Sequence, residues 1–367
     1  MSQTSHDLSS SAASLLPHTR HNTRATSIAM RFFARSIGDR NPRFVHESYQ
    51  SQTGGPGFLA HPCWLYSVHD TVLESGPADT CPIIAGTRWS FVRPVVAGEK
   101  IFTVARLVDE FTRTGRLAGA CLFQVVAVTY LDERGEELAT ATSTLMHIRP
   151  EAARQSGKHS LWKRWRYSHE QLDAIEQGYD AEQVRGNTPR YWDDVTSGEA
   201  LPAIVRGPLS SEEIVLFVGA TRPIPGMAAF TRERAAGRAR GFIHPRTGAF
   251  ESYMAGLIDD ESAQQLGFPA AHDYGIDRVS QMASLVTNWI GDAGTLLGLD
   301  TRLHAPNFLG DTTWFSGQVT ACHADSNSSG LVELTTSGIN QAGEVTISGS
   351  ATVRLPRGRK VSSSMGQ

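Results

Sequence analysis

Pro94-Val95-Val96-Ala97-Gly98-Glu99 and Pro306-Asn307-Phe308-Leu309-Gly310-Asp311 carry a proline, a glycine and an acid at the same spacing. Each stands ahead of a run of alternating residues. After the first come Ile101, Thr103, Ala105 and Leu107, and later Phe123, Val125, Ala127 and Thr129. After the second come Val319, then Leu331, Glu333 and Thr335, then Val345, Ile347, Ala351 and Val353. Alternation at period two, rich in β-branched residues, is the mark of half-buried strands. A second shared feature lies downstream: Gly135-Glu136 after Leu131-Asp132, and Gly343-Glu344 after Asn340-Gln341. Both read as hairpin turns. Two such features, in register twice along one chain, mark an internal duplication.

Helical patterns precede each meander. Thr23 to Ser36 sets Ile28, Phe32 and Phe33 at helical spacing, and Phe58 to Leu73 is apolar and helix-compatible. In the second half, Ser210 and Glu213 stand at capping-box spacing, and Gly275 to Ile290 reads as a long amphipathic helix. The implied organisation is a disordered tail over 1–24, a first unit over 25–150, and a charged, Trp-rich linker over 151–190. A second unit over 191–357 and a disordered tail over 358–367 complete it.

Composition sets the outer limits. A chain of 367 residues has room for two domains, and 40% hydrophobic content fills their cores. A net charge of −3, from 34 basic and 37 acidic side chains, excludes a global basic field for nucleic acid. The basic, aromatic stretch Leu161 to Tyr167 is balanced by Asp173, Glu176, Asp180 and Glu182, so no nucleic-acid partner is expected. The longest apolar run, Val279 to Ile290, is too short and too polar to span a bilayer. Cys63, Cys81, Cys121 and Cys322 form no Cys-x-x-Cys pair, which speaks against a disulfide framework or structural zinc and for a reducing compartment. A cytoplasmic protein is expected; the Ser-rich, acid-poor N-terminal segment is also compatible with organelle import.

Four stretches, taken in order, carry a family resemblance. They are Phe33-Ala34-Arg35-Ser36-Ile37-Gly38-Asp39-Arg40-Asn41-Pro42; Trp89 to Glu99; Arg190 to Glu199 with Arg206-Gly207-Pro208-Leu209; and His272-Asp273-Tyr274-Gly275 with Asn288 to Asp292. Over about residues 25–356 the chain resembles the MaoC-like, double-hotdog acyl dehydratases. The resemblance implies an α+β double hotdog, two antiparallel sheets each wrapping a long central helix. It implies hydration of a 2-enoyl thioester, or dehydration of the 3-hydroxyacyl form, on coenzyme A or an acyl carrier protein. It implies no cofactor and no metal. The halves would form an internal pseudo-dimer, with a homodimer of the whole chain as a further possibility.

The family motif runs Asp-x-Asn-Pro-x-His-x-Asp, its first Asp and its His being the usual catalytic pair. Asp39, Asn41 and Pro42 match, but Phe44 holds the His position and His46 the second Asp position. In the second half, an ungapped match on Asp259, Ala263 and Gly267 leaves Leu257 for the His and Ser252 for the Asp. A gapped match beginning at Gly219-Ala220-Thr221 puts the Asp position near Pro223. Neither copy keeps the pair. Hydration needs a carboxylate to deprotonate water, a proton for the α-carbon, and donors for the enolate oxygen. The expected site is therefore Asp39 as base and acid, Asn41 to fix the loop or a water, and a substitute histidine. His61 and His272 are the chosen candidates, with His46 and His69 beside them. Enolate-stabilising amides are expected at Cys63 or Gly275, and Arg278, Arg93 or Arg302 would meet a coenzyme A phosphate. Alternatives stay open. Gly-Asp-x-Asn-Pro closes turns without any catalytic duty. Loss of the motif His also fits an altered hotdog enzyme (isomerase, cyclase or thioesterase) or a non-catalytic acyl-binding hotdog.

Overall fold

The computed structural model describes residues 21–358, except 73–75, 78, 116–118, 156–161, 223–230, 233, 236, 238–239 and 326–327. The first half contributes β1 (Cys81–Phe91), β2 (Phe102–Gly115), β3 (Gly119–Leu131) and β4 (Glu137–Ile148). The second contributes β5 (Ala200–Arg206), a separate hairpin of β6 (Gly241–Ile243) and β7 (Phe250–Ser252), then β8 (Thr295–Leu303), β9 (Thr313–Ala324), β10 (Ser329–Asn340) and β11 (Val345–Pro356). Their order is β2-β3-β4-β1-β8-β11-β10-β9-β5 in a nine-stranded sheet, antiparallel at every pairing. The two hotdogs are there, but their sheets merge edge to edge. Strands β1 and β8 pair from Gly86↔Arg302 to Ser90↔Gly298. Gly86 has to be glycine at this seam, because a Cβ there would come within 2.3 Å of the Thr301 carbonyl oxygen.

The duplication is visible bond by bond. Ala25 N–H donates to the Glu99 carbonyl at 2.8 Å, and Gly98 N–H returns to Ala25 at 2.7 Å. Leu209 N–H donates to Asp311 at 2.8 Å, and Gly310 N–H returns to Leu209 at 2.8 Å. Ala60 N–H meets the Val95 carbonyl where Asp273 N–H meets that of Asn307. The hairpin turns also match. Asp132 Oδ1 accepts the Arg134 and Glu136 amides; Asn340 Oδ1 accepts those of Ala342 and Glu344. These side-chain bonds to nearby amides are what fit Asp and Asn to turns. By the same register the leading helix Ser27–Ser36, capped by Thr26, corresponds to Ser211–Thr221, capped by Ser210.

The halves part at the central helix. In the second it runs Ile276–Ile290, and all fifteen residues are buried against the sheet. In the first, the long helix expected over Phe58 to Leu73 is a 3-10 turn, Pro62–Ser67. Beyond it, His69 Nδ1 accepts the Thr71 amide at 3.0 Å and Asp70 Oδ1 that of Val72 at 3.1 Å. Thr71 stands at φ +64°. Side chains that satisfy their own downstream amides offer the backbone an alternative to the helix.

Residues 1–20 and 359–367 lie outside the described residues. Asn22, which the sequence reading places in the tail, donates its amide to Ser67 at 3.0 Å. All four cysteines are free thiols. No helix among the described residues is long and apolar enough to cross a membrane.

Candidate active site

The leading helix of the first half buries Met30, Phe33 and Ala34 and ends where Gly38 takes φ +70°. Arg206 Nε lies 3.1 Å from where a Cβ on Gly38 would be, so both the dihedral and the close approach call for glycine. Asp39 follows. Its Oδ1 accepts the Asn41 amide at 2.7 Å, and Asn41 Oδ1 caps the short helix Pro42–Val45 through the Arg43 amide at 3.1 Å. The turn chemistry is therefore present, and it leaves Asp39 Oδ2 for other partners.

His61 caps the 3-10 turn of the same half. Its Nδ1 accepts the Cys63 amide at 3.2 Å, which assigns the ring proton to Nε2. Nε2 is 3.6 Å from Asp39 Oδ2. Between them stands Ser284, from the central helix of the other half. Ser284 Oγ donates to Asp39 Oδ2 at 2.8 Å and lies 3.3 Å from His61 Nε2. Phe44, in the motif's His position, packs edge-on to the His61 ring at 5.3 Å, and Phe33 lies 5.8 Å away on the ring's surroundings. Phe44 thus stands where the motif has His, and the imidazole that approaches Asp39 comes from position 61.

Both the Asp39 and His61 side chains are 0% exposed. Burial pushes the Asp39 carboxyl up to about 6, against the opposing pull of the Asn41 amide, the Ser284 hydroxyl and Arg206. Burial takes His61 down to about 3. The carboxyl therefore titrates close to neutrality while the imidazole stays uncharged. A further set of bonds braces the turn. Asn41 Nδ2 donates to Asn288 Oδ1 at 3.4 Å, and Asn288 Nδ2 to Glu182 Oε1 at 3.1 Å. Arg206 grips Glu182 at 2.8 and 3.1 Å.

Asp39, Asn41 and His61 come together as the sequence suggested. His272 does not join them: its Nδ1 faces the Asp273 carbonyl at 2.9 Å and its ring packs 4.1 Å from Phe268. Arg278 is buried, donating to Asp273 at 2.6 Å and to the Thr346 carbonyl at 3.0 Å, so it cannot reach a phosphate in solvent. The Cys63 amide is committed to His61, and burial pushes its thiol far up. Gly275 is held by packing, since a Cβ would come within 2.8 Å of Leu303. Arg93 pairs with Glu99 and Asp132, and His46 is exposed. Sequence reasoning missed Ser284. The available signal was Ser280 and Ser284, four residues apart on one helix.

A different trio, two residues from the second half and Asp70 from the first, stands at the equivalent place. Tyr274 corresponds to His61 when Asp273 is matched to Ala60. Its hydroxyl donates to Asp70 Oδ2 at 2.7 Å and accepts from Arg222 at 3.2 Å; Arg222 and Asp70 are 3.1 Å apart. The paired leading helices favour the gapped match, and residue 223 lies outside the described residues. Asp259 instead caps the helix Asp260–Gln265 through the Ser262 amide at 2.7 Å. No group of three or more His, Cys, Asp or Glu among the described residues is placed to hold a metal ion.

Residues 19–141 match the family model of the FAS1-like dehydratase domain region. Among solved structures, a MaoC-like dehydratase is 20% identical, with a TM-score of 0.61 over 93% of this chain and 99% of its own. A MaoC domain dehydratase from Chloroflexus aurantiacus is 13% identical, TM-score 0.59, over 94% and 95%. The peroxisomal multifunctional enzyme type 2 of Drosophila melanogaster is 14% identical, TM-score 0.51, over 89% of this chain and 47% of its own. No curated protein sequence matches the chain.

Proposed function

For a chain that folds as a MaoC-like double hotdog and whose residues 19–141 match a dehydratase family, we propose reversible hydration of a 2-enoyl thioester centred on Asp39. The observation that carries the reading is the trio of Asp39 Oδ2, Ser284 Oγ and His61 Nε2. It sets a carboxyl shifted to about 6 next to a neutral imidazole whose Nε2 bears a proton. The ionised Asp39 takes a proton from water, whose oxygen bonds to the β-carbon as the α,β double bond opens. The same carboxyl returns the proton to the α-carbon. His61 Nε2–H holds the water oxygen, and Ser284 holds the unprotonated carboxylate in place. Dehydration runs the same steps backward. A general base works best with a pKa near the operating pH, and burial brings Asp39 there.

The complete burial of both side chains favours a second reading, a hotdog that binds acyl groups without turning them over. One experiment separates the two. The purified protein is incubated with short and branched 2-enoyl-CoA esters, with loss of enoyl absorbance and mass followed together. Gain of one water, abolished in Asp39→Asn, supports the hydratase. Release of the thiol, or rearrangement at constant mass, points to the altered enzymes. A folded protein that binds the esters unchanged supports the acyl-binding reading.

A further inference from the structure

A cavity of about 120 Å³ has Gly38 in its wall, one residue before Asp39; Asp39, His61 and Ser284 themselves do not line it. The opposite wall is polar. Asp277, Asp311 and Glu213 line it, and none of the three makes an ion pair among the described residues. Asn307 lines it too. Its side chain is 6% exposed, and its Oδ1 has no hydrogen-bond partner among the described residues. The donors in the wall are already engaged. Arg206 is held by Glu182, Arg278 by Asp273 and the Thr346 carbonyl, and Gln281 Nε2 by Asp277 Oδ1. Asp311 has donors on both oxygens, the Phe308 amide and Gln341, and Glu213 is exposed and accepts the Ser210 amide. Asn307 Oδ1 and the second carboxyl oxygen of Asp277 are left without a donor among the described residues, and a buried acceptor without a donor is costly.

We propose that this cavity receives an ammonium group at the end of a short substrate acyl chain. The inference rests on the hydratase reading for its link to the thioester. The unmet oxygens of Asn307 and Asp277 select a donor, and Asp277, buried and without an ion pair among the described residues, selects a cationic one. The volume equals roughly four waters of bulk liquid at about 30 Å³ each, enough for an alkylammonium of a few heavy atoms. Gly38, in the cavity wall and next to Asp39 in the chain, is what ties the cavity to the acyl chain. Burial and neighbouring acids hold the Asp277 carboxyl well above the usual range, and a bound ammonium would relieve that.

The test is calorimetric titration of butylammonium chloride into the wild-type protein and into Asp39→Asn, with butanol and tetramethylammonium chloride as comparisons. The expected result is saturable butylammonium binding to both proteins, about tenfold tighter than butanol, and at least tenfold weakened in Asp277→Asn. Asn307→Leu, which keeps every carboxyl, gives a second variant should Asp277→Asn not fold; it too should weaken butylammonium. Butanol equal to butylammonium, or no binding of either, overturns the proposal. Among 2-enoyl-CoA esters of one length, the amine-ended one should exceed the methyl-ended one in kcat/KM by about tenfold; the reverse order overturns the link to the acyl chain. Butylammonium binding with no ester hydrated sinks the hydratase reading and leaves the ammonium cavity standing. Hydration without butylammonium binding does the opposite.

Discussion

The layer that abuts the central turn is apolar in the first half and polar in the second. Ala60, Trp64, Leu65, Val68 and Val95 fill it in one copy, all buried. By the shared register, Asp273, Asp277, Arg278, Gln281 and Asn307 fill it in the other. The bond that leads into the layer is the same in both copies, Ala60 to Val95 and Asp273 to Asn307, while the turn beyond it is 3-10 in one and α-helical in the other, so chemistry and helix diverged on a shared entry. The consequence shows at the two trios. Asp39 is desolvated without an ion-pairing cation and is shifted to about 6. Asp70 sits 3.1 Å from Arg222, whose side chain is 29% exposed. On the reading proposed above, the proton-transferring carboxyl stands beside the apolar layer, while the polar layer offers a place for a ligand's charge.

The sharpest way to break this comparison is Asp39→Asn. Turnover should fall about 10³-fold or more, measured as enoyl-CoA hydration. Stability should move the other way at neutral pH. The folded carboxyl titrates near 6 against 3.8 for the ordinary group. Between those values the native state keeps a proton that the unfolded chain has released, so stability falls as pH rises through the window. The variant lacks this loss, and its thermal midpoint should overtake that of the wild type as pH passes from about 4 to about 6. A difference between the two midpoints that stays constant, or moves in favour of the wild type, over that range would show that Asp39 is not held at a raised pKa.

Glu182→Gln comes next. Arg206 and Glu182 are 6% and 0% exposed, and the substitution leaves a guanidinium buried without its counter-ion. A stability loss of about 3–5 kcal/mol is expected in denaturant unfolding. A loss under about 1 kcal/mol, the range of exposed pairs, would mean that water reaches Arg206.

His61→Gln should lower turnover about 10²-fold and leave the pH profile of the rest simple. With His61 neutral above about 3, kcat/KM for hydration should rise through pH 6 on Asp39 alone and show no imidazole limb above it. A descending limb that vanishes in His61→Gln would reverse the assignment of the neutral ring.

Much of this was legible in the residues. The proline–glycine–acid pair announced the duplication because those residues set a turn that both copies need, down to φ +98° at Gly98 and +93° at Gly310. Gly38-Asp39-Arg40-Asn41-Pro42 announced the site because its turn chemistry is local. What stayed hidden depends on contacts across the two halves. Ser284 reaches Asp39 over 245 positions of chain. The missing helix after Phe58 failed through His69 and Asp70 bonding to their own downstream amides, which apolar composition does not reveal. Arg278 looked like a phosphate ligand until Asp273 was seen to hold it at 2.6 Å.

The smallest expected effect is the one that decides which half works. Tyr274→Phe removes a hydroxyl from the second trio while keeping the ring that packs beside Phe217. Asp70 and Arg222 can still pair at 3.1 Å, so the loss is one charge-assisted hydrogen bond, about 1–2 kcal/mol in stability. If proton transfer resides in the first trio, turnover should change by no more than about threefold, a barrier change below about 1 kcal/mol. A loss of about 10²-fold, with Asp39→Asn active, would transfer the chemistry to Tyr274 and Asp70. The apolar layer would then be the inherited core and the polar one the evolved site. Loss in both variants would instead make the two trios parts of one site.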